Sequence, residues 1–173
     1  MANPMYGQNK FDDHMPNVLI KETYGTSGTT HTNTIDAADL FSYSIAANTL
    51  EVGDIIRIKI YAQVTDNNST DTLTPVLNFG GTAICTGAAL DVADGDLVWA
   101  EADIHVTKIG SAGSMQAFAS LKTDAGGSVF LGAMTVLSSK DTTGALAVAL
   151  NVDWSVAHAE NIVRLDAASI EIL

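Results

Sequence analysis

The sequence is poor in the residues that form disulfides, membrane spans and basic surfaces. Cys85 is the only cysteine among 173 residues, so no intramolecular disulfide can form. Lys and Arg number 8 against 20 Asp and Glu, which gives a formal net charge of −12. No apolar run approaches the ~18 to 20 residues of a membrane helix. A chain of this length buries roughly 70% of its unfolded surface, so we expect one domain without a disulfide or structural metal.

The excess of negative charge argues against two classes of partner. A chain of net charge −12 repels the phosphate backbone of nucleic acids and the anionic surface of membranes. No cluster of Lys or Arg offsets this repulsion locally. Residues 1–16 also lack a basic start followed by an apolar stretch, which a secretion signal requires. We therefore expect a soluble protein that is made in a cytoplasm and binds neither nucleic acid nor membrane.

Catalytic and metal-binding motifs are also missing. The Gly-x-Ser-x-Gly pattern of a nucleophilic serine does not occur, and His14, His31, His105 and His158 are scattered along the chain. Zinc sites need several His or Cys ligands at short spacings. We expect no enzymatic activity and no cofactor, and we expect Cys85 to be a small core residue.

What the sequence does contain is a repeated two-residue alternation, clearest in residues 50–64. A period of two predicts a half-buried β-strand. The inward set of this strand is Ile56, Ile58, Ile60, Ala62 and Val64, and the outward set is Arg57, Lys59, Tyr61 and Gln63.

Similar stretches, separated by Gly, Asp, Asn and Ser turns, predict about eight to ten strands and no long helix. This number at this length is typical of a two-sheet antiparallel sandwich or jelly roll. The predicted strands are Val18–Tyr24, Leu40–Ile45, Ile55–Val64, Leu73–Phe79, Leu97–Ile109, Met115–Leu121, Val129–Leu137, Leu146–Val156 and Ile162–Leu173.

Two positions predict irregular pairing. Pro75 cannot donate a backbone hydrogen bond, so we expect its strand to lie at a sheet edge or to contain a bulge. In the last strand the alternation changes phase between Leu165 and Ile170, and a bulge near Ala167 and Ala168 would restore one buried face.

Residues 1–16 differ from the rest of the chain, residues 17–173, which we expect to form the single sandwich domain. This N-terminal arm has two prolines, mixed charge and no period, with Tyr6 and Phe11 as isolated aromatics. Such an arm is either disordered or ordered by a partner, and the sequence leaves both alternatives open.

Two further candidate sites have simple structural alternatives. Asp91, Asp94 and Asp96 are a weak calcium candidate because carboxylates on one loop offer hard oxygen ligands, but Asp and Gly are equally typical of a turn. Trp99 falls on an outward face beside acidic residues, which is typical of sugar-binding sheets. The alternative for Trp99 is a strand end under a loop or a contact between subunits.

The outward row of Ala147, Ala149 and Asn151 is too small and uncharged for a solvated face. It is typical of a surface that another chain covers. Trp154 has the opposite, inward parity, and we expect it to lie in the core.

Four stretches together resemble the jelly-roll virion proteins of tailed bacteriophages. They are AANTLEVGDIIRIKIYAQV, TLTPVLNFGGTAI, LVWAEADIHVTKIGSAGSMQAFASL and NIVRLDAASIEIL. The resemblance covers most of the chain from about Leu40 and rests on strand and turn patterns. It implies a capsid decoration (cement) protein or a part of a tail fibre, commonly a homotrimer.

Two functional hypotheses follow from the resemblance. The first is a decoration protein that stabilises a phage head, binding the major capsid protein on the outer capsid surface after synthesis in the bacterial cytoplasm. Its partner-binding candidates are Tyr6 and Phe11 of the arm, Trp99, and the Arg57, Lys59 and Tyr61 face, which would meet an acidic surface. The second is a receptor- or glycan-binding module of a tail or head fibre.

Overall fold

The protein is built from β-strands. The computed structural model describes residues 17–23, 28–68, 70–125, 129–132 and 134–173, and none of their segments forms a helix long and apolar enough to cross a membrane. The strands within these residues are β1 Asn17–Thr23, β2 Thr30–Thr32, β3 Ala38–Ile45, β4 Ile55–Asp66, β5 Thr72–Phe79, β6 Thr82–Thr86, β7 Leu90–Asp91, β8 Leu97–Lys108, β9 Gly113–Thr123, β10 Val129–Leu131, β11 Thr135–Lys140, β12 Leu146–Trp154 and β13 Ile162–Ile172.

The strands form two antiparallel sheets. The larger sheet has the order β1-β13-β4-β8-β9-β10, with β2 added beside β13 and β11 beside β9. The smaller sheet has the order β3-β12-β5-β6, with β7 added beside β5. The inward side chains of both sheets pack into one hydrophobic cluster, so the architecture is a two-layer sandwich.

Eight of these strands show the nested pairing of a jelly roll. In chain order they are β1, β3, β4, β5, β6, β8, β12 and β13. The first pairs with the eighth, the second with the seventh, the third with the sixth and the fourth with the fifth. The predicted antiparallel jelly roll is therefore confirmed, and β9, β10 and β11 are inserted between its sixth and seventh strands.

The predicted alternation of β4 is confirmed by burial. The inward side chains of β4 are at most 1% exposed, from Ile56 to Val64, while Arg57 and Tyr61 are half-buried and Lys59 is exposed. Trp154 is 1% exposed, as expected for a core residue. Cys85 is also buried, and its burial raises the pKa of the thiol above the ordinary value.

Of the two predicted irregularities, one is confirmed and one is confirmed in part. The β13 register shifts against β4 between Leu165 and Ala167, which is the expected bulge. Pro75 lies in β5, which is not an edge strand because it has neighbours on both sides, but the pairing of β5 with β6 shifts register between Leu77 and Asn78, two residues further along. The carbonyl of Pro75 accepts a hydrogen bond from Gly87 N at 2.9 Å, just past the end of β6. The backbone nitrogen of Pro75, which has no hydrogen to donate, therefore faces the gap between β6 and β7. An interior strand can contain the proline because no hydrogen bond is lost there.

The predicted strand Val129–Leu137 is divided into β10 and β11, which both pair with β9. Gly132 lies at the interruption. A Cβ atom there would come within 2.5 Å of the Ile84 carbonyl oxygen, so only glycine lets β6 pass this close. The short strand β6, which supplies Ile84, is absent from the predicted set because five residues are too few for a clear alternation.

Candidate functional site

The loops at one end of the sandwich carry eight carboxylates and no Lys or Arg. We call this the acidic end, and it comprises residues 33–37, 66–68, 70–71, 87–96, 124–125 and 155–161. Hydrogen bonds join these loops to neighbouring strands, for example from Val64 N to Asp96 O at 2.8 Å and from Ser155 N to Thr72 O at 2.9 Å. These ranges contain no Lys or Arg, and their eight carboxylates are Asp36, Asp66, Asp71, Asp91, Asp94, Asp96, Asp124 and Glu160.

The opposite end is nearly balanced in charge. We call residues 46–54, 80–81, 108–112 and 140–145 the neutral end, where Asn48 N donates to Thr142 O at 2.8 Å and Thr142 N donates to Gly110 O at 3.1 Å. Two lysines, at the ends of β8 and β11, offset three carboxylates and leave a formal charge of −1. The charged residues of this end are Glu51, Asp54, Asp141, Lys108 and Lys140.

Large apolar side chains are exposed at the neutral end. Val52 is 62% exposed and Ile109 is 43% exposed, both in loops. Val18 at the start of β1 and Leu173 beside Ile55 are also exposed. The acidic end exposes Ile35 and Val156, but there the side chains lie among uncompensated carboxylates. The neutral end therefore combines apolar surface with little net charge.

The outward side of the larger sheet, which we call the larger-sheet face, carries paired charges. Arg57 donates to both carboxylate oxygens of Asp103, at 2.9 and 3.3 Å, and this hydrogen bonding raises the pKa of the Arg57 guanidinium above its ordinary value. Lys122 Nζ donates to Glu101 at 2.7 Å. Because Arg57 already has an internal partner, its charge is less available to a second protein than the sequence suggested. Both pairs are partly exposed, so each adds little to stability.

Lys59 differs from its neighbours on this face. It is exposed and lies opposite Ser169 on β13 and Glu101 on β8. Glu101 is already bonded to Lys122, and Lys59 has no ion pair within the described part of the chain. Lys59, like the exposed Lys21 on β1, is therefore a cation on this face that is free to bind a negatively charged group.

An open groove of about 510 Å³ crosses β4, β8 and β9 on the larger-sheet face. Its floor is formed by small residues of the sheet, and its sides carry charged, hydroxyl and aromatic groups. The side chains that contribute these groups are Arg57, Lys59, Glu101, Asp103, Phe118 and Ser120.

Trp99, the predicted sugar-binding aromatic, does not line this groove. Trp99 is half-buried and stands opposite Tyr61 on β4 and Lys122 on β9. Phe118 supplies the aromatic ring instead. Tyr6 and Phe11, the aromatics of the arm, lie outside the described residues.

The aspartate loop of residues 91–96 serves as a turn. Asp96 accepts a hydrogen bond from Ala93 N at 2.7 Å, and Asp96 N donates to Ala93 O at 3.0 Å. Within the described ranges, no group of three or more His, Cys, Asp and Glu side chains is placed to hold a metal ion. The geometry therefore favours turn chemistry, and it adds no support for calcium at Asp91, Asp94 and Asp96.

The outward side of the smaller sheet, which we call the smaller-sheet face, carries small side chains. Hydrogen bonds link Asn78 on β5 to Asn151 on β12 and Asn151 to Asp39 on β3. Ala147 is exposed, while Ala149 is 8% exposed among its neighbours. The outward surface of these strands is therefore polar and made of small side chains.

Comparisons with known proteins identify no family. No protein-family model matches the chain, and no curated protein matches it. One similar solved structure is a GH43 glycoside hydrolase with an engineered active site, at a TM-score of 0.37 and 12% identity over 69% of this chain. The chain spans 29% of the length of that hydrolase.

A second solved structure is the CBM2 module of the evolved Dit of Lactobacillus casei BL23 phage J-1. It has a TM-score of 0.29 and 14% identity over 75% of this chain and 67% of the module. At these TM-scores neither likeness identifies a function, so the functional argument rests on the surfaces described above.

Sequence reasoning missed the charge difference between the two ends and the position of Phe118. The acidic loops are visible as turn segments, but only the strand order shows that they gather at one end. Phe118 follows the outward parity of β9, since Ala117 and Ala119 are inward. The alternation of β9 was therefore enough to place Phe118 on the outside, although not in a groove.

His31 is a buried titratable group near the acidic end. It lies on β2, is 6% exposed, and its Nε2 has no hydrogen-bond partner among the described residues. Burial lowers the pKa of His31 below 6.5, although the nearby Asp153 carboxylate raises it in part. The folded protein therefore favours the neutral imidazole.

We expect the free energy of unfolding to fall as the pH drops below about 6.5. Just below pH 6.5 the unfolded chain binds a proton at His31. The folded protein binds that proton only at a lower pH, because the pKa of His31 is lower in the folded state. Urea unfolding at pH 7.5 and 5.5 measures this effect. The H31N variant should lose part of the pH dependence, whereas H105N, which changes an exposed histidine, should keep it. Equal pH dependence in H31N and the parent protein would contradict this assignment.

Proposed function

We propose that the protein is a structural, non-enzymatic protein of a tailed-phage virion that decorates the outer surface of the capsid. The observation that carries this proposal is the contrast between the two ends of the jelly roll. One end has eight carboxylates without Lys or Arg, while the other has a formal charge of −1 and exposes Val52 and Ile109. This contrast favours attachment by one end of the sandwich.

The neutral end is the better surface for binding the major capsid protein. Protein interfaces have a desolvated centre that is poor in charged residues and rich in apolar side chains. The exposed Val52 and Ile109 satisfy this requirement, and few charges there need to be desolvated. Asn17, the first described residue, pairs with Ile172 close to this end. The arm with Tyr6 and Phe11 is thus connected to the domain beside the proposed capsid contact.

The acidic end then points away from the head. Five of its eight carboxylates are exposed to water, and the end repels other acidic surfaces. Such a charge keeps decorated particles apart in solution. This orientation leaves both sheet faces lateral, where one is available for contact with other copies of the protein.

We assign the contact between copies to the smaller-sheet face and propose a homotrimer. This face has small side chains, so the backbones of two copies can approach closely. The outward charges of its described strands are Asp39, Asp91 and Asp153, so acidic chains meet there with less repulsion than at the acidic end. The larger-sheet face is left free in this arrangement.

Light scattering tests the trimer and its electrostatics. A chain of 18.1 kDa should give a particle of about 54 kDa, three times that mass. Because the acidic ends of the copies repel each other, raising the salt concentration should increase the trimer fraction. A147E should shift the protein to monomer, whereas A88E, which adds the same charge in an exposed loop, should not. A monomer at micromolar concentration in high salt would contradict the proposal.

Binding to heads that lack the protein tests the function itself. Purified protein mixed with such heads should sediment with them and should raise the temperature at which the shells break. Absence of binding to heads, with labelling of tails instead, would favour the alternative of a fibre module. The groove on the larger-sheet face is the observation that favours this second candidate.

A further inference from the structure

The groove on the larger-sheet face has its hydrogen-bonding groups fixed before any ligand arrives. Arg57 donates hydrogen bonds to both carboxylate oxygens of Asp103, and Lys122 Nζ donates one to Glu101 at 2.7 Å. Each carboxylate is thus oriented by a cation on one side and keeps lone pairs for further donors. Preorganised acceptors of this kind bind hydroxyl groups without a large loss of side-chain entropy.

The groove also has one uncompensated cation. Of the charged groove side chains, Arg57 and Lys59 are positive and Glu101 and Asp103 are negative. Arg57 is bonded to Asp103 and Lys122 is bonded to Glu101, so the exposed Lys59 is the groove cation that has no ion pair within the described residues. In a chain of net charge −12, this is a local attraction for a single carboxylate.

Phe118 forms the apolar part of the groove. It is 46% exposed, and the His105 ring packs against it in an edge-to-face arrangement with centroids 5.5 Å apart. The contact limits the freedom of the Phe118 ring. An exposed, oriented ring beside hydrogen-bonding groups suits the C–H face of a sugar.

The position of the groove disfavours a peptide ligand. Peptides that bind sheets usually add a strand at an edge, where backbone groups are unpaired. This groove instead crosses the face of the sheet, where β4, β8 and β9 use their backbone groups in pairing with one another. Recognition here depends on side chains, and a ligand rich in hydroxyl groups fits them best.

We propose that the groove between β4, β8 and β9 binds a saccharide that carries a carboxylate. The sugar carboxylate pairs with Lys59, its hydroxyl groups donate to Glu101 and Asp103, and its ring packs on Phe118. This site goes beyond capsid decoration and is independent of it, because the proposed capsid contact lies at the neutral end. A decoration protein with this site would hold the virion at acidic glycans of a cell surface.

A library of soluble oligosaccharides tests this site on the full-length protein in solution. The library contains chains of uronic, sialic and other sugar acids, each with a counterpart whose carboxyl groups are reduced to alcohols. We expect at least one acidic chain to bind about tenfold or more tightly than its reduced counterpart, because the charge-assisted hydrogen bond to Lys59 is lost on reduction.

Matched variants locate the binding. K59Q should abolish the preference for the acidic oligosaccharide. F118A should weaken the binding of both oligosaccharides, the acidic one and its reduced counterpart, by about tenfold. K108Q and V52A, which remove a lysine and an apolar side chain outside the groove, should bind like the parent protein. Binding to no acidic chain, or unchanged binding by K59Q and F118A, would overturn the proposal. Binding of acidic peptides instead of glycans would also overturn the proposal. None of these results would change the conclusion about binding to phage heads.

Discussion

Replacing Val52 and Ile109 with glutamate should weaken binding to undecorated heads by about 100-fold or more. Each side chain is exposed in the free protein, at 62% and 43%, and would be buried against the capsid. Losing the apolar contact costs about 1 kcal/mol or more at each position, and desolvating a new charge adds to that cost. Two such changes correspond to about two orders of magnitude in Kd. Co-sedimentation of V52E/I109E with heads measures the loss.

The acidic end provides the matched control for this variant. I35E/V156E also places two glutamates at exposed apolar positions, but at the end that should face solvent. We expect this control to bind heads like the parent protein. Both variants should keep their thermal midpoint within about 2 °C, since exposed positions contribute little to folding. Equal weakening in the two variants would mean that the neutral end has no special role.

Truncating Asn161 to alanine should cause a large loss of stability. Asn161 is fully buried and joins two loops of the acidic end. Its Nδ2 donates to Asp71 and to the Val156 carbonyl, both at 2.9 Å, and its Oδ1 accepts from Asn68 N at 3.1 Å. Alanine would leave these groups without their partner, and Asp71 is itself buried. We expect N161A to lose about 3 to 5 kcal/mol of unfolding free energy.

Thermal unfolding measures the effect of N161A. For a domain of this size, 1 kcal/mol corresponds to about 2 to 4 °C, so the midpoint should fall by about 10 °C. E160A changes the exposed neighbour and should leave the midpoint almost unchanged. A fall of less than about 3 °C in N161A would show that the three hydrogen bonds contribute little to the fold.

The fold was predictable from the sequence where one sheet side is buried and the other is not. The β4 strand illustrates this, since its inward side chains are all apolar and its outward ones all polar. The phase change between Leu165 and Ile170 also predicted the bulge of β13, because burial on one face leaves few other solutions. These features depend on local sequence alone, so long-range contacts were not needed to find them.

Other parts of the fold depend on which strands become neighbours. Pro75 argued for an edge strand or a bulge, and β5 is instead an interior strand with a register shift against β6 and a gap between β6 and β7 beside the proline. Gly132 divides a predicted strand because β6 crosses close to it, at Ile84. No local pattern in the sequence predicts either contact.

The candidate site was predictable only in part, for the same reason. Arg57 and Lys59 were correctly placed on an outward face. That Arg57 is ion-paired and Lys59 is not follows from the pairing with β8, which brings Asp103 opposite Arg57. Lys122 and Glu101 are neighbours across β8 and β9 only through the hairpin between them. The grouping of eight carboxylates at one end likewise requires the jelly-roll connections.

An image of the decorated head by electron cryomicroscopy tests the central claim most directly. At a resolution that shows strand directions, the jelly roll should stand on the outer capsid surface as a trimer. The loops of residues 46–54 and 109–112 should contact the capsid, and the loops of residues 87–96 and 155–161 should point into solvent. Density that shows the acidic loops against the capsid, or that places the protein on the tail, would contradict the account.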